Sequence, residues 1–390
     1  MRRLVRRLLH WGKKDEQPAL LPLPSLQPVD RDAWTPDEQR QSRFFSLPAE
    51  IRHMIVCAAF GERTVHIDLR LRPRLYTVET AKGCSPSRFH AGYLSLLTRW
   101  DLTLRPGIDV RTEEDKKLAW RWYGCVCHRN RPGETAVQPF NDICLQGRGL
   151  CSDYPGNVPD KCMIGAMGYL LSCKRSYREG CLVLYQTNIV FIESTPLLDR
   201  LLRQGMSPGA PRLTGPGVQL VRALHLKVDY MLFHEWDPER EAKDRAWFLQ
   251  DLNLLQRVFP RLQRLQLIFT GDMYYQCLPA PMNNVPELDT IVFAPLMEAK
   301  GKMGLKDFSV TLPIDVFLNL MKLVREWKSR EIARRHIKEF KTSCGIRVWY
   351  PFGTAEDGPG QTERGFYLKS GEVGTWFWTA DGSHGRVGHR

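Results

Sequence analysis

The sequence predicts a chain of the α+β, mixed class, with helical segments first and an irregular sheet of strands and helices after them. Three observations carry this reading. Apolar residues recur at helical spacing over 47–58 and again over 170–184. Residues 219–312 instead alternate short apolar strands with a helix around 239–259. Hydrophobic residues make up 43% and charged residues 25%, an ordinary globular balance. No uninterrupted apolar run approaches the roughly 20 residues that span a bilayer.

Taken in order, residues 1–14 hold four Arg, two Lys and no acid, with Leu4, Leu8 and Trp11 able to share a helical face. That pattern fits a mitochondrial presequence, a membrane-surface helix, a nuclear-import patch or a frayed basic tail. The Pro-rich, polar stretch 15–42 reads as a linker, so 1–42 forms a basic arm. A helix follows, with Ser46 as its expected cap and Pro48 in its first turn. Leu47, Ile51, Met54, Ile55 and Ala58 form its apolar face. Thr64–Leu69 alternates like a strand. Residues 61–169 carry Pro, Gly and charge clusters and read as a long insertion.

Leu170, Cys173, Tyr177, Cys181 and Leu184 mark the apolar face of the next helical segment, with Lys174, Arg175 and Arg178 on its wet side. Asn188 introduces the extended run 189–192. A short helix over 194–205 is capped by Ser194 or Thr195 and stopped by Gly205. This closes a predicted unit at 43–205. The Pro/Gly stretch 206–217 is a loop.

The unit 218–350 holds four predicted strands, at 221–226, 262–267, 288–293 and 305–310. Each fits the apolar-x-x-apolar-x-apolar core of a leucine-rich repeat. Their starts are 41, 26 and 17 residues apart, so the expectation is an irregular, leucine-rich-repeat-like sheet rather than a solenoid. Phe248, Leu252, Leu255 and Phe259 stripe the intervening helix. Another helix starts near Pro313 and carries Phe317, Leu320, Val324 and Trp327. Its extension, 322–341, holds eight Lys/Arg and three Glu, two of them placed for i,i+4 pairing. The tail 351–390 contains nine glycines and predicts a hairpin pairing 366–369 with 374–378.

The net charge of +13 favours acidic partners. Eleven cysteines, an odd number, with several on apolar faces and no recognisable secretory signal, point to a reducing compartment, cytoplasm or nucleus. No phosphate loop, nucleophile elbow or HExxH pair is present, which argues against an enzyme, and no cofactor is expected. Cys125, Cys127, His128 and Cys144, with Cys151 and Cys162 beyond, are zinc-type ligands without paired knuckles, and read as either a small metal site or reduced thiols. The run Trp120-Arg-Trp-Tyr123 fits base stacking in a nucleic-acid-associated protein, or a small satellite core with snorkelling arginines.

The segments Leu47-Pro-Ala-Glu-Ile-Arg-His-Met-Ile55 and Cys173-Lys-Arg-Ser-Tyr177, continuing through Leu184-Tyr-Gln-Thr-Asn-Ile-Val-Phe191, resemble the two halves of an F-box. The chain looks most like a fungal F-box-like family of unassigned function that shares LPxEIRxxI and a downstream CRxxYxEAxxxLYxxNxF element. The resemblance covers 44 to about 205 in two blocks. It implies a non-enzymatic protein-interaction role, as a substrate adaptor of a cullin–RING ubiquitin ligase. Leu47, Pro48, Ile51 and Ile55, with Leu171 and Tyr177, then match positions that contact a Skp-type adaptor. The chain departs from an F-box in its long insertion and in carrying Tyr177 where many F-boxes carry Trp.

Overall fold

The computed structural model describes residues 41–72, 119–128, 160–193, 195–203, 217–233, 237–269, 285–313, 338–342, 345–351 and 365–370, with short pieces at 39, 155–156, 273, 316–318, 320–322, 377–378 and 384–385. Expectations for the basic arm, for Cys144 and Cys151, and for the charged stretch 323–337 lie outside these residues.

The chain is mixed α/β, built on a mostly parallel sheet. Its strands are β1 (Thr64–Arg72), β2 (Ala119–Val126), β3 (Ile189–Ile192), β4 (Ala223–Val228), β5 (Arg264–Phe269), β6 (Asp307–Leu312), β7 (Lys338–Thr342), β8 (Gly345–Pro351) and β9 (Gly365–Ser370). They lie in the order β2-β1-β3-β4-β5-β6-β9-β8-β7. The run from β1 through β3, β4, β5 and β6 to β9 is parallel. Antiparallel β2 closes one edge, and the hairpin β7–β8 closes the other. The segments 43–205, 218–350 and 351–390 all contribute strands to this one sheet.

Parallel neighbours need crossovers, and helices supply them. Helix α1 (Ala49–Phe60) precedes β1, and α2 (Met167–Leu170) with α3 (Lys174–Gln186) precedes β3. Helix α4 (Thr195–Arg203) then links β3 to β4, and α5 (Pro238–Val258) links β4 to β5. Between β5 and β6 stand α6 (Val285–Leu288), a π turn (Asp289–Phe293) and α7 (Ala294–Met303). Each step from β3 to β6 moves to the next strand in the same direction. Right-handed crossovers then place these helices on the same face.

The core follows from that placement. Leu224, Leu226, Leu265, Leu267, Phe308 and Val310 alternate inward from the strands, meeting Leu198 and Leu202 of α4, Phe248 and Leu255 of α5, and Phe293 and Leu296 beyond. Phe366, Leu368, Val348 and Tyr350 extend the same core under the hairpin edge. Helix α5 starts where Asp237 Oδ1 accepts the Arg240 amide at 3.0 Å and Pro238 fills the first turn. Its inner end is locked by Asp251, which accepts two hydrogen bonds from Arg203 (2.9 and 3.0 Å) and one from the Tyr230 hydroxyl. Burial and the Asp251 charge push the Tyr230 phenol far above its ordinary value.

Three expectations fail here. Residues 288–293 are helical, because Leu288, Val292 and Leu296 bury at helical spacing against the sheet. Residues 338–342 are a strand, not the end of a basic helix, since their backbone pairs with 345–349. The tail hairpin does not form either: Gly365–Ser370 is held between β6 and β8, so both its edges are taken, and Phe377–Trp378 pairs with His384–Gly385. No helix among the described residues is long and apolar enough to cross a membrane.

Candidate functional site

The site forms where α1 meets α3, two segments far apart in sequence. Pro48 occupies the cap position of α1 with extended backbone and no side-chain cap. Ser46 does not cap the helix, because its hydroxyl donates to the Arg43 carbonyl at 2.7 Å. The buried side of α1 is Arg52, Val56 and Phe60, spaced i, i+4, i+8. This is a different side from the apolar stripe that the sequence suggests.

A charged residue is buried here because its partner is waiting. Arg52 is only 5% exposed, and its Nε lies 3.2 and 3.1 Å from the two Glu179 oxygens while Nη2 lies 2.7 Å from Oε1. Its Nη1 donates to the Leu47 carbonyl, tying the fork to the start of α1. Arg175 adds a bond from Nε to Glu179 Oε1 at 3.2 Å. Burial pushes the Glu179 carboxyl up, but the hydrogen bonds and charges of Arg52 and Arg175 outweigh it and hold it below its ordinary value. The same bond to Glu179 raises the Arg52 guanidinium further.

Behind this pair sits a small apolar cluster. Val56, Phe60, Ala166 and Val183 form its centre, with Phe44, Tyr169 and Leu170 against it. The Tyr169 ring lies edge-on to Phe44 at 5.8 Å and tilted to Phe60 at 5.9 Å. Burial and the Glu179 charge push the Tyr169 phenol up to about 12. Helix α3 buries Ser176, Gly180 and Val183, a face of small residues that hydrophobic periodicity does not reveal. A Cβ at Gly180 would stand 2.6 Å from Leu170 Cδ2 and 3.0 Å from Tyr169 Cδ1, so glycine lets α2 lie directly on α3. Cys173 caps α3, accepting the Ser176 amide at 3.4 Å. Burial pushes its thiol up, and hydrogen bonds led by Ser176 bring it net below the ordinary value.

Asn188 ties the helices to the sheet. Its Oδ1 accepts the Arg63 amide at 2.8 Å, and its Nδ2 donates to the carbonyls of Phe60 and Leu184, each at 3.0 Å. One buried amide thus joins the end of α1, the end of α3 and the entry to β1.

With α1 held from behind, its other side faces solvent. Ile51 is 42% exposed, Met54 65% and Ile55 44%. Pro48 and Ala58 are also exposed, and Leu47 is half-buried. Leu171, just past α2, is 75% exposed, while Tyr177 is half-buried on α3. The named residues therefore offer apolar contact area rather than a reacting group.

Of the zinc-type set, Cys125 and His128 are buried and Cys127 is half-buried at the end of β2, and Cys144 lies outside the described residues. Among the described residues no three His, Cys, Asp or Glu gather as a metal site. Residues 120–123 run along β2 opposite 68–71 of β1. Comparison with protein-family models, curated proteins and solved structures returns no match.

Proposed function

We propose that this is a non-enzymatic, F-box-like interaction protein, in which the outer side of α1 docks a Skp-type adaptor and the leucine-rich-repeat-like sheet presents a target to a cullin–RING ligase. One observation carries the reading: Pro48, Ile51, Met54 and Ile55 are exposed together on a helix whose opposite side is clamped by Arg52, Val56 and Phe60. A core helix has no apolar side left to give, whereas this one does. Covering the exposed part of Ile51, Met54 and Ile55 would contribute about 1 kcal/mol each, so docking needs further contacts around them to offset the cost of association. Leu47, Leu171 and Tyr177 extend the candidate surface.

The test is direct binding between the full chain and a purified Skp-type adaptor, followed by co-purification from cells. Complex formation that is lost in Ile51→Ala, with an unchanged melting temperature, supports the proposal. No complex with the wild-type chain, or a large loss of stability in that variant, would defeat it.

A further inference from the structure

Helix α1 carries two metal-type donors on the border between its inner and outer sides. His53 and Cys57 stand four residues apart, so one turn of helix stacks them on the same side. His53 Nε2 lies 3.4 Å from Cys57 Sγ. His53 is exposed, whereas Cys57 is half-buried and packs against the apolar cluster of Val56, Phe60, Ala166 and Val183. The core behind the sulfur therefore fixes it, and the imidazole reaches it from the solvent side.

The separation of these two atoms is that of a chelate. Zinc binds thiolate sulfur at about 2.3 Å and imidazole nitrogen at about 2.0–2.1 Å. Two such bonds spanning 3.4 Å meet at about 103°, close to the tetrahedral angle that zinc adopts. Charge on this side of the helix also favours a cation. Glu50 stands one turn before His53, and Glu62 follows the helix end. Burial and the Glu62 charge push the Cys57 thiol up, so the field of that carboxylate reaches the sulfur. Glu62 is held in place by left-handed backbone, φ 55°, and by its amide, which donates to Thr187 Oγ1 at 3.3 Å. The arginines of α1 and of the turn after it are engaged elsewhere. Arg52 turns inward to Glu179, and Arg63 donates to the Ala59 carbonyl at 2.7 Å.

We propose that His53 and Cys57 chelate a thiophilic divalent cation of the zinc type, with water in the remaining coordination positions. Binding releases the thiol proton to solvent. The thiolate sulfur and the Nε2 lone pair each bond the ion, and the imidazole keeps its proton on Nδ1. No third His, Cys, Asp or Glu completes a cage among the described residues, so the ion occupies an open, exchangeable site rather than a closed structural one. Preorganisation comes from the clamp behind α1, which holds the helix turn between the two ligands through Arg52 and Val56. The inference is independent of adaptor docking at the outer side of α1.

The experiment follows iodoacetamide alkylation of the full, reduced chain by peptide mass spectrometry, which resolves Cys57 from the other ten of the eleven cysteines. Excess zinc chloride is expected to slow alkylation of Cys57 by about tenfold or more. Calcium chloride at the same concentration is expected to leave the rate unchanged, because calcium takes oxygen ligands. In His53→Gln, a change at an exposed position, zinc should alter the Cys57 rate by no more than about twofold. Protection that persists in full in this variant would reduce the effect to a thiol acting alone and overturn the proposal. So would a wild-type Cys57 rate that zinc does not change. Cobalt, substituted for zinc, checks the same pair without alkylation. Its thiolate-to-metal absorption should be weaker in His53→Gln than in the wild type, and an unchanged spectrum would reject the site.

Discussion

Arg52 and Glu179, 127 residues apart in sequence, meet with Nη2 and Oε1 at 2.7 Å and hold α1 against α3. Because the guanidinium occupies the inner side of α1, the apolar residues on the other side are left for solvent or a partner. The ion pair, with Val56 and Phe60 on the same side, thus marks the side of the helix that faces inward.

Removing that pair should destabilise the helical layer. Arg52→Ala leaves Glu179 partly buried with Arg175 as its remaining cation, and should cost about 1–3 kcal/mol, discounted because Glu179 is partly solvated. Chemical denaturation of the variant against the wild type measures this. The folded carboxyl titrates below its ordinary value. Its contribution is therefore present above the ordinary carboxylate range and is lost as pH falls through the folded value. The stability gap between wild type and Glu179→Gln should narrow from neutral pH to about pH 3. A gap that stays constant over that window would show that the pair contributes nothing to folding.

Substitution of Asn188 should cost more than its size suggests. Asn188→Ala leaves one amide and two carbonyls short of partners, at about 3 kcal/mol. Asn188→Asp keeps the acceptor for Arg63 but aims a carboxylate oxygen at two carbonyls. Its deficit should shrink at low pH, where a protonated carboxyl donates to one of them. Thermal melts of both variants at neutral and acid pH separate these effects.

Gly180 tests the close approach of α2 and α3. Alanine brings about 1 kcal/mol of helix propensity, offset by displacing Leu170, whose Cδ2 lies 2.6 Å from the added carbon. The net change in Gly180→Ala should be near zero. Gly180→Val has no such offset and should lose about 1–3 kcal/mol by overpacking. A stabilised valine variant would show that the contact is not tight.

Two substitutions on α1 should behave oppositely to their hydrophobicity. Val56→Ala, on the buried side, should cost about 2 kcal/mol. Ile51→Ala, on the exposed side, should change stability by no more than about 0.5 kcal/mol. Equal losses at both positions would mean that α1 is buried all round.

The strands were legible where alternation was long and one-sided, as in Ala223–Val228, Arg264–Phe269 and Asp307–Leu312. Helix α5 was legible because Phe248, Leu252 and Leu255 bury at helical spacing. Residues 288–293 misled because a short apolar run fits both periods, and only burial of Leu288, Val292 and Leu296 together decides for a helix. At the candidate site, periodicity found both helices, but the apolar stripes it marks are not the sides that pack inward. Arg52 is buried through a partner in another segment, and Ser176 and Gly180 through their smallness, neither of which is a hydrophobic signal. Exposure of Ile51 and Ile55 likewise depends on what packs behind them.

The position of β9 sets an order on synthesis. Gly365–Ser370 joins the sheet between β6 and the β7–β8 hairpin, although it is made after both. As the chain leaves the ribosome, β6 is an open edge with unpaired amides and carbonyls, and the hairpin lacks β9, the strand with which β8 pairs antiparallel. Only when residue 370 has emerged can the two halves of the sheet close on each other. A nascent chain halted before residue 365 presents a pairing template to any neighbouring chain, so its exposure to aggregation ends with its last interior strand.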